Sequence, residues 1–91
     1  MNDLSDIRWK INLCDEKLIS LIKERFSYSK EVALYKKENN LPIFDAKREE
    51  ELIKKNLEIL NDKDLETYYL NIFKSILNES KEYQKKVIEN E

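Results

Sequence analysis

The chain contains no glycine and no histidine, one cysteine (Cys14) and one proline (Pro42). Without glycine there is no phosphate-binding P-loop, no dinucleotide-binding turn and no type I′ hairpin turn. Without histidine, and with a lone cysteine, Ser-His-Asp and Cys-His catalysis are excluded, and so is every zinc site built on His or on several Cys. A carboxylate-bound Mg²⁺ is not excluded by composition alone. One cysteine makes no internal disulfide, which fits a reducing compartment. No apolar run reaches the roughly 18 residues of a membrane span, and no apolar signal segment follows the acidic N-terminus. Nor is there a surplus of charge: 17 Lys and Arg face 19 Asp and Glu, for a net −2. Proteins that bind nucleic acid or anionic membrane usually carry a basic excess. These absences predict a soluble, cytoplasmic protein with neither a nucleic-acid nor a membrane partner.

What is present is helix-forming. Charged residues make up 40% of the 91 and hydrophobic ones 41%, and the shortage of breakers points to an all-α fold. The apolar residues recur with a helical period, which disordered charged chains lack. Length predicts one domain over residues 1–91, without a fused catalytic or regulatory unit. A first helix is expected from about Asp3 to about Glu38. Its seam, Leu4, Ile7, Ile11, Cys14, Leu18, Leu21, Arg25, Tyr28, Val32 and Tyr35, advances in alternating steps of three and four. Asn39-Asn40-Leu41-Pro42 ends it. Asp45 is placed to cap a second helix of about 46–60, with Leu52, Ile53, Leu57 and Leu60 as its apolar face. After the polar turn Asn61-Asp62-Lys63-Asp64, a third helix carries Leu65, Tyr69, Ile72, Phe73, Ile76, Leu77, Tyr83 and Val87, and the tail from Glu89 to Glu91 is expected to fray.

A first helix of about 35 residues is about 52 Å long, whereas a compact chain of this size has a radius of gyration near 12–13 Å. Two shorter helices cannot cover such a rod. The surplus seam predicts an obligate homodimer with paired first helices, in which Cys14 is a small buried residue. The alternative is a break near Ser27-Ser29 that folds the first segment into a hairpin.

Polar residues stand where core is expected. Arg25 lies on the first seam. Lys36 is 11 residues on, about 20° around the helix and about 16 Å along it, so both cations can lean onto one small anion. In the second helix Glu49 shares the face of Ile53, with Asp45 one turn earlier. In the third, Ser80 follows Ile76 by four residues, and Gln84 follows Ser80 by four. Buried polar groups are costly unless paired, and a cavity for a polar anion would account for all of them. Each also has a plainer explanation. Arg25 could fix dimer register, Asp45 could be only a cap, Lys36-Lys37 a solvated pair, and Ser80 and Gln84 the point where the third helix emerges into solvent. Arg8 lies 17 residues before Arg25, about 25 Å along the same helix. It cannot share a small ligand with Arg25 of its own chain, but it could complete a partner's site in an antiparallel dimer. Trp9 lies off the seam and receives no role.

Taken in order, these residues resemble the all-helical class of chorismate mutase over nearly the whole chain. The resemblance runs through Asp6-Ile7-Arg8, Ile11, Asp15, Leu18, Leu21-Ile22 and Arg25, then Val32-Ala33 and Tyr35-Lys36. It continues through Pro42 to Glu49 and ends in Glu79-Ser80 with Tyr83-Gln84. It implies an intertwined dimer of three-helix chains with two active sites, each completed by an arginine from the other chain. It further implies that Arg25, Lys36 and Arg8 of the partner subunit hold the two carboxylates of chorismate. Lys36 and Gln84 would face the ether oxygen whose bond breaks, and Glu49 with Asp45 the ring hydroxyl. Arg48 would position the acidic side chains or bind substrate through its backbone, and Ser80 would support a carboxylate.

The rearrangement of chorismate to prephenate suits this residue set. It is unimolecular and needs no nucleophile, metal, cofactor or obligatory proton transfer. The site must hold a dianion in a compact chair and stabilise the charge that grows on the ether oxygen. Two other functions remain open at this stage: an isochorismate-pyruvate lyase on the same fold, and a non-enzymatic helical dimerisation module whose seam charges set register.

Overall fold

The computed structural model describes residues 3–90. Three helices follow one another: α1 (Leu4–Glu38), α2 (Ala46–Leu60) and α3 (Glu66–Asn90). No strand occurs among the described residues. The architecture is all-α, as expected. Glu91 of the expected frayed tail lies outside the described residues, and the helix continues through Glu89 and Asn90.

Local chemistry accounts for each boundary. Asp3 caps α1, its carboxylate accepting from the backbone N–H of Asp6 at 2.9 Å, which satisfies one of the free donors of the first turn. The helix runs without interruption through Ser27 and Ser29, so the hairpin alternative does not occur. The Ser27 hydroxyl donates back to the Glu24 carbonyl at 2.7 Å, an arrangement helices tolerate. At the far end the Asn39 side-chain amide donates to the Tyr35 carbonyl. Asn40 takes a left-handed conformation, φ 54°, which asparagine adopts more readily than most residues. Asp45 caps α2 by accepting from the Arg48 N–H at 3.1 Å. Asn61, also left-handed at φ 45°, closes α2 with its N–H on the Leu57 carbonyl. The Asp62 carboxylate then accepts from the N–H groups of Asp64 and Leu65 and leads into α3. Leu65 therefore precedes the helix that it was expected to begin.

α3 is the spine. It packs on α1 and on α2, while α1 and α2 do not pack on each other. The buried apolar residues are Ala33, Phe73, Leu77 and Val87. Phe26 meets Tyr83 with ring centroids 5.3 Å apart, and Tyr69 stacks on Phe73 at 5.7 Å. On α1 the line facing α3 is Phe26, Ser29 and Ala33, spaced by three and four. Ser29 and Ala33 are small and buried, which lets the two backbones approach.

That line is not the expected seam. Leu4, Ile7, Ile11, Leu18, Leu21, Tyr28, Val32 and Tyr35 are each 44–61% exposed. Cys14 is exposed too, so within one chain it is not the buried residue expected. Every residue from Asp3 to Glu24 is exposed. The molecule measures 57 × 28 × 15 Å with a radius of gyration of 16.5 Å, well above the roughly 12–13 Å of a compact chain of this length. The difference is the unaccompanied first half of α1.

Candidate active site

Because α1 and α2 share α3 without touching, they leave a cavity of about 300 Å³ between them. Its wall from α1 is Arg25, Tyr28, Ser29, Val32 and Lys36. The connection to α2 adds Ile43 and Asp45, α2 adds Arg48, Glu49 and Leu52, and α3 adds Leu77, Ser80, Lys81 and Gln84. Seven of the eight residues expected from sequence are therefore on one cavity: Arg25, Lys36, Asp45, Arg48, Glu49, Ser80 and Gln84. The eighth, Arg8, is exposed near the start of α1 and lines no part of it.

The helix geometry explains the convergence. Arg25, Ser29, Val32 and Lys36 follow steps of four, three and four on one face of α1. The Arg25 guanidinium lies over the Phe73 ring, 5.7 Å from its centroid. One face is thus held by the aromatic surface, while its N–H edge stays available. The Lys36 ammonium donates to the Ile43 carbonyl at 2.8 Å, and two of its three hydrogens remain for a ligand. Lys36 is therefore not half of a solvated pair. Lys37 is exposed instead and reaches the Ile88 carbonyl at 3.2 Å.

Asp45 both caps α2 and faces the cavity, so the two readings of that residue hold together. The cap uses Oδ1. Glu49, in the first turn of α2, pairs with Lys81 at 2.9 Å. On the floor, Ser80 and Gln84 are buried, 5% and 8% exposed, as is Ser29 at 6%. They do not mark the emergence of α3 into solvent. The Ser29 and Ser80 hydroxyls are 2.7 Å apart, and the Gln84 amide donates to Ser80 Oγ at 3.3 Å. Gln84 Oε1 is buried without a hydrogen-bond partner among the described residues. A buried acceptor without a partner is costly and uncommon.

Four cations (Arg25, Lys36, Arg48, Lys81) and two carboxylates (Asp45, Glu49) line the cavity, a surplus of two positive charges. Val32, Ile43, Leu52 and Leu77 supply an apolar surround that strengthens those charges. The arrangement suits a small, compact dianion with a hydroxyl. Among the described residues no cluster of His, Cys, Asp and Glu is placed to hold a metal ion.

Lys81 and Ser29 were missed in the sequence. Lys81 follows Ser80 directly and reads as a solvent-facing charge. Its partner Glu49 is 32 positions away, so no helical spacing could reveal the pair. Ser29 had a usable signal: it is four residues after Arg25 and seven before Lys36, on the face they share.

The family model for chorismate mutase type II matches residues 7–85. A chorismate mutase of Methanocaldococcus jannaschii is 32% identical over 87 residues, covering 94% of this chain and 88% of that protein. A bifunctional chorismate mutase/prephenate dehydratase of Buchnera aphidicola subsp. Baizongia pistaciae is 39% identical over 89 residues, covering 96% of this chain and 24% of the relative. Its counterpart from Buchnera aphidicola subsp. Schizaphis graminum is 34% identical over 88 residues, with 96% and 23% covered. The chain thus spans about a quarter of the length of these bifunctional relatives. No solved structure matches it.

Proposed function

The chain belongs to the chorismate mutase type II family, and from that premise we propose that it converts chorismate to prephenate in aromatic amino acid biosynthesis, at the cavity between its three helices. The observation that carries the proposal is the meeting of Arg25, Lys36, Asp45, Arg48, Glu49, Ser80 and Gln84 on one cavity with two surplus positive charges. Arg25 and Lys36 pair with the two substrate carboxylates and draw the enolpyruvyl side chain over the ring. This holds the reacting carbons in contact, the orientation effect that a unimolecular rearrangement needs most. Arg48 adds positive charge at the N-terminal end of α2 and orients the acidic side chains. Ser80 supports a carboxylate from the floor.

As the C–O bond breaks, negative charge grows on the ether oxygen. Lys36 and Gln84 donate to it. The orphaned Gln84 carbonyl oxygen supports this role. Rotating the amide by half a turn sets Oε1 on the Ser80 hydroxyl, which then donates to it, and turns the NH₂ group toward a substrate acceptor. Pre-aimed donors of this kind typically lower a barrier by about 2.7–4 kcal/mol each. Glu49 accepts from the ring hydroxyl, with Asp45 beside it.

The active assembly in this reading is a homodimer. The apolar row along α1, exposed in one chain, is the surface a second copy covers. Arg8 of the partner subunit then completes the site, because Arg8 of the same chain lies about 25 Å from Arg25 along α1.

The test is the loss of chorismate absorbance on adding purified protein, with the product identified, beside the same assay on isochorismate. Prephenate formed from chorismate is the expected result. No acceleration, or release of pyruvate from isochorismate alone, would overturn the proposal.

A further inference from the structure

Resting on that reading of the site, we propose that Lys81 is a positioning residue. It sets the Glu49 carboxylate to recognise the substrate's ring hydroxyl and thereby helps to decide which substrates the site accepts. Its ammonium is 2.9 Å from Glu49 Oε2, with the two side chains only 22% and 24% exposed. The ion pair between Lys85 and Glu82, one turn along the same helix, is 56% and 67% exposed and has the character of an ordinary surface pair. The Lys81 ammonium also lies 4.6 Å from the centroid of the Phe44 ring, an added cation–π attraction. Three separate parts of the chain therefore fix this one charge: Phe44 in the connection, Glu49 at the start of α2, and Lys81 on α3.

The need for such a charge follows from electrostatics. Glu49 is a carboxylate in a cavity built for a dianion. Left alone, it would repel the dianion in the ground state and the transition state alike. Lys81 engages Oε2, offsets the negative charge and leaves the three other cations to the substrate. Oε1 remains to accept a hydrogen bond. An ionised carboxylate can only accept, so the group it selects is a donor, the ring hydroxyl. A substrate lacking that hydroxyl leaves the acceptor unmet, which is how a polar site discriminates.

The contact exists before and during the rearrangement, because the hydroxyl takes no part in it. Its loss should therefore weaken ground state and transition state alike and appear in KM rather than kcat. The experiment compares wild type, Lys81→Met, Lys81→Arg and the control Lys85→Met in steady-state kinetics on chorismate. A chorismate analogue with hydrogen in place of the ring hydroxyl is measured beside it as a competitor. Lys81→Met should raise KM about tenfold, the size of one charge-assisted hydrogen bond, with kcat changed by less than about twofold. Lys81→Arg should recover most of the loss, and Lys85→Met should match wild type. The analogue should lose less than chorismate on Lys81→Met, because the repulsion by an unpaired Glu49 is common to both and only chorismate has a hydroxyl contact to lose. Lys81→Met should add little in a Glu49→Gln background, since both changes remove one unit.

An unchanged KM in Lys81→Met would overturn the proposal. So would an equal loss for chorismate and the analogue, which would leave the ring hydroxyl outside the role of Lys81. A lower kcat at constant KM, with a reduced folded fraction by circular dichroism, would make the pair merely structural. If wild type does not act on chorismate, the mutase reading itself fails. If wild type acts and Lys81→Met equals it, only the role of Lys81 fails.

Discussion

Arg8→Ala and Arg25→Ala should each abolish most activity, yet a mixture of the two should regain a defined fraction of it. Arg25 lines the cavity, while Arg8 stands 17 residues earlier on the same uninterrupted helix, about 25 Å away. If both act on one substrate, they come from different chains. In each homodimeric variant both sites then lack one arginine, and losing a cation of this kind typically costs on the order of 100-fold or more. Random reassociation of equal amounts makes about half of the dimers mixed. In a two-fold symmetric mixed dimer, one site receives Arg25 from the Arg8→Ala chain and Arg8 from the Arg25→Ala chain, and is intact. The other site lacks both. Half of the dimers with half of their sites intact gives about one quarter of wild-type activity. The assay is chorismate turnover after mixing under mild denaturation and refolding, with mixed dimers counted by native mass spectrometry of chains that differ in mass. Mixed dimers present at the statistical level without activity above the parent variants would refute the shared site.

Three further outcomes follow from the same geometry. Gln84→Glu should be weak at neutral pH and recover as pH falls while the fold holds, because only the protonated carboxyl can donate to the ether oxygen; full activity independent of pH would leave Lys36 as the main donor there. On dilution, sedimentation and circular dichroism should show helix lost together with dissociation, since the exposed row from Leu4 to Tyr35 has no cover in one chain; a cooperatively melting, fully helical monomer would contradict the dimer. Leu77→Ala removes a side chain only 7% exposed on the cavity floor and should cost about 2–5 kcal/mol in urea unfolding; a loss below about 1 kcal/mol would show that α3 is not the packed spine described here.

Much of the fold was legible because its boundaries are written in local chemistry. Asp45 and Asn61 bracket α2 where a cap and a left-handed asparagine are required, and both ends fall where the sequence places them. Six of the cavity residues, Arg25, Lys36, Asp45, Glu49, Ser80 and Gln84, were legible for a different reason: they are polar groups on faces that otherwise read as core, and such groups are buried at a cost. Arg48 follows only from the family resemblance. What the stripe did not reveal was which neighbour each face meets. The strongest apolar row of α1 is not its contact with α3. That contact is made through Ser29 and Ala33, whose virtue is small size rather than hydrophobicity, and hydrophobic periodicity is blind to it. Ser29 was read as a possible break in the helix, and it is instead a buried hydroxyl bonded to Ser80. Lys81 was hidden because its meaning lies in a tertiary pair with Glu49 and not in its own helix.

If the cavity fits the compact, cyclic transition state of a dianion, a stable mimic of that geometry must bind it tightly. Calorimetry with a stable oxabicyclic dicarboxylate that mimics this geometry tests it most directly. The analogue should bind at least about 100-fold more tightly than chorismate, as transition-state mimics do, and Lys36→Ala or Arg25→Ala should erase most of that advantage. Binding no tighter than that of chorismate, or an affinity unaffected by these substitutions, would contradict the account.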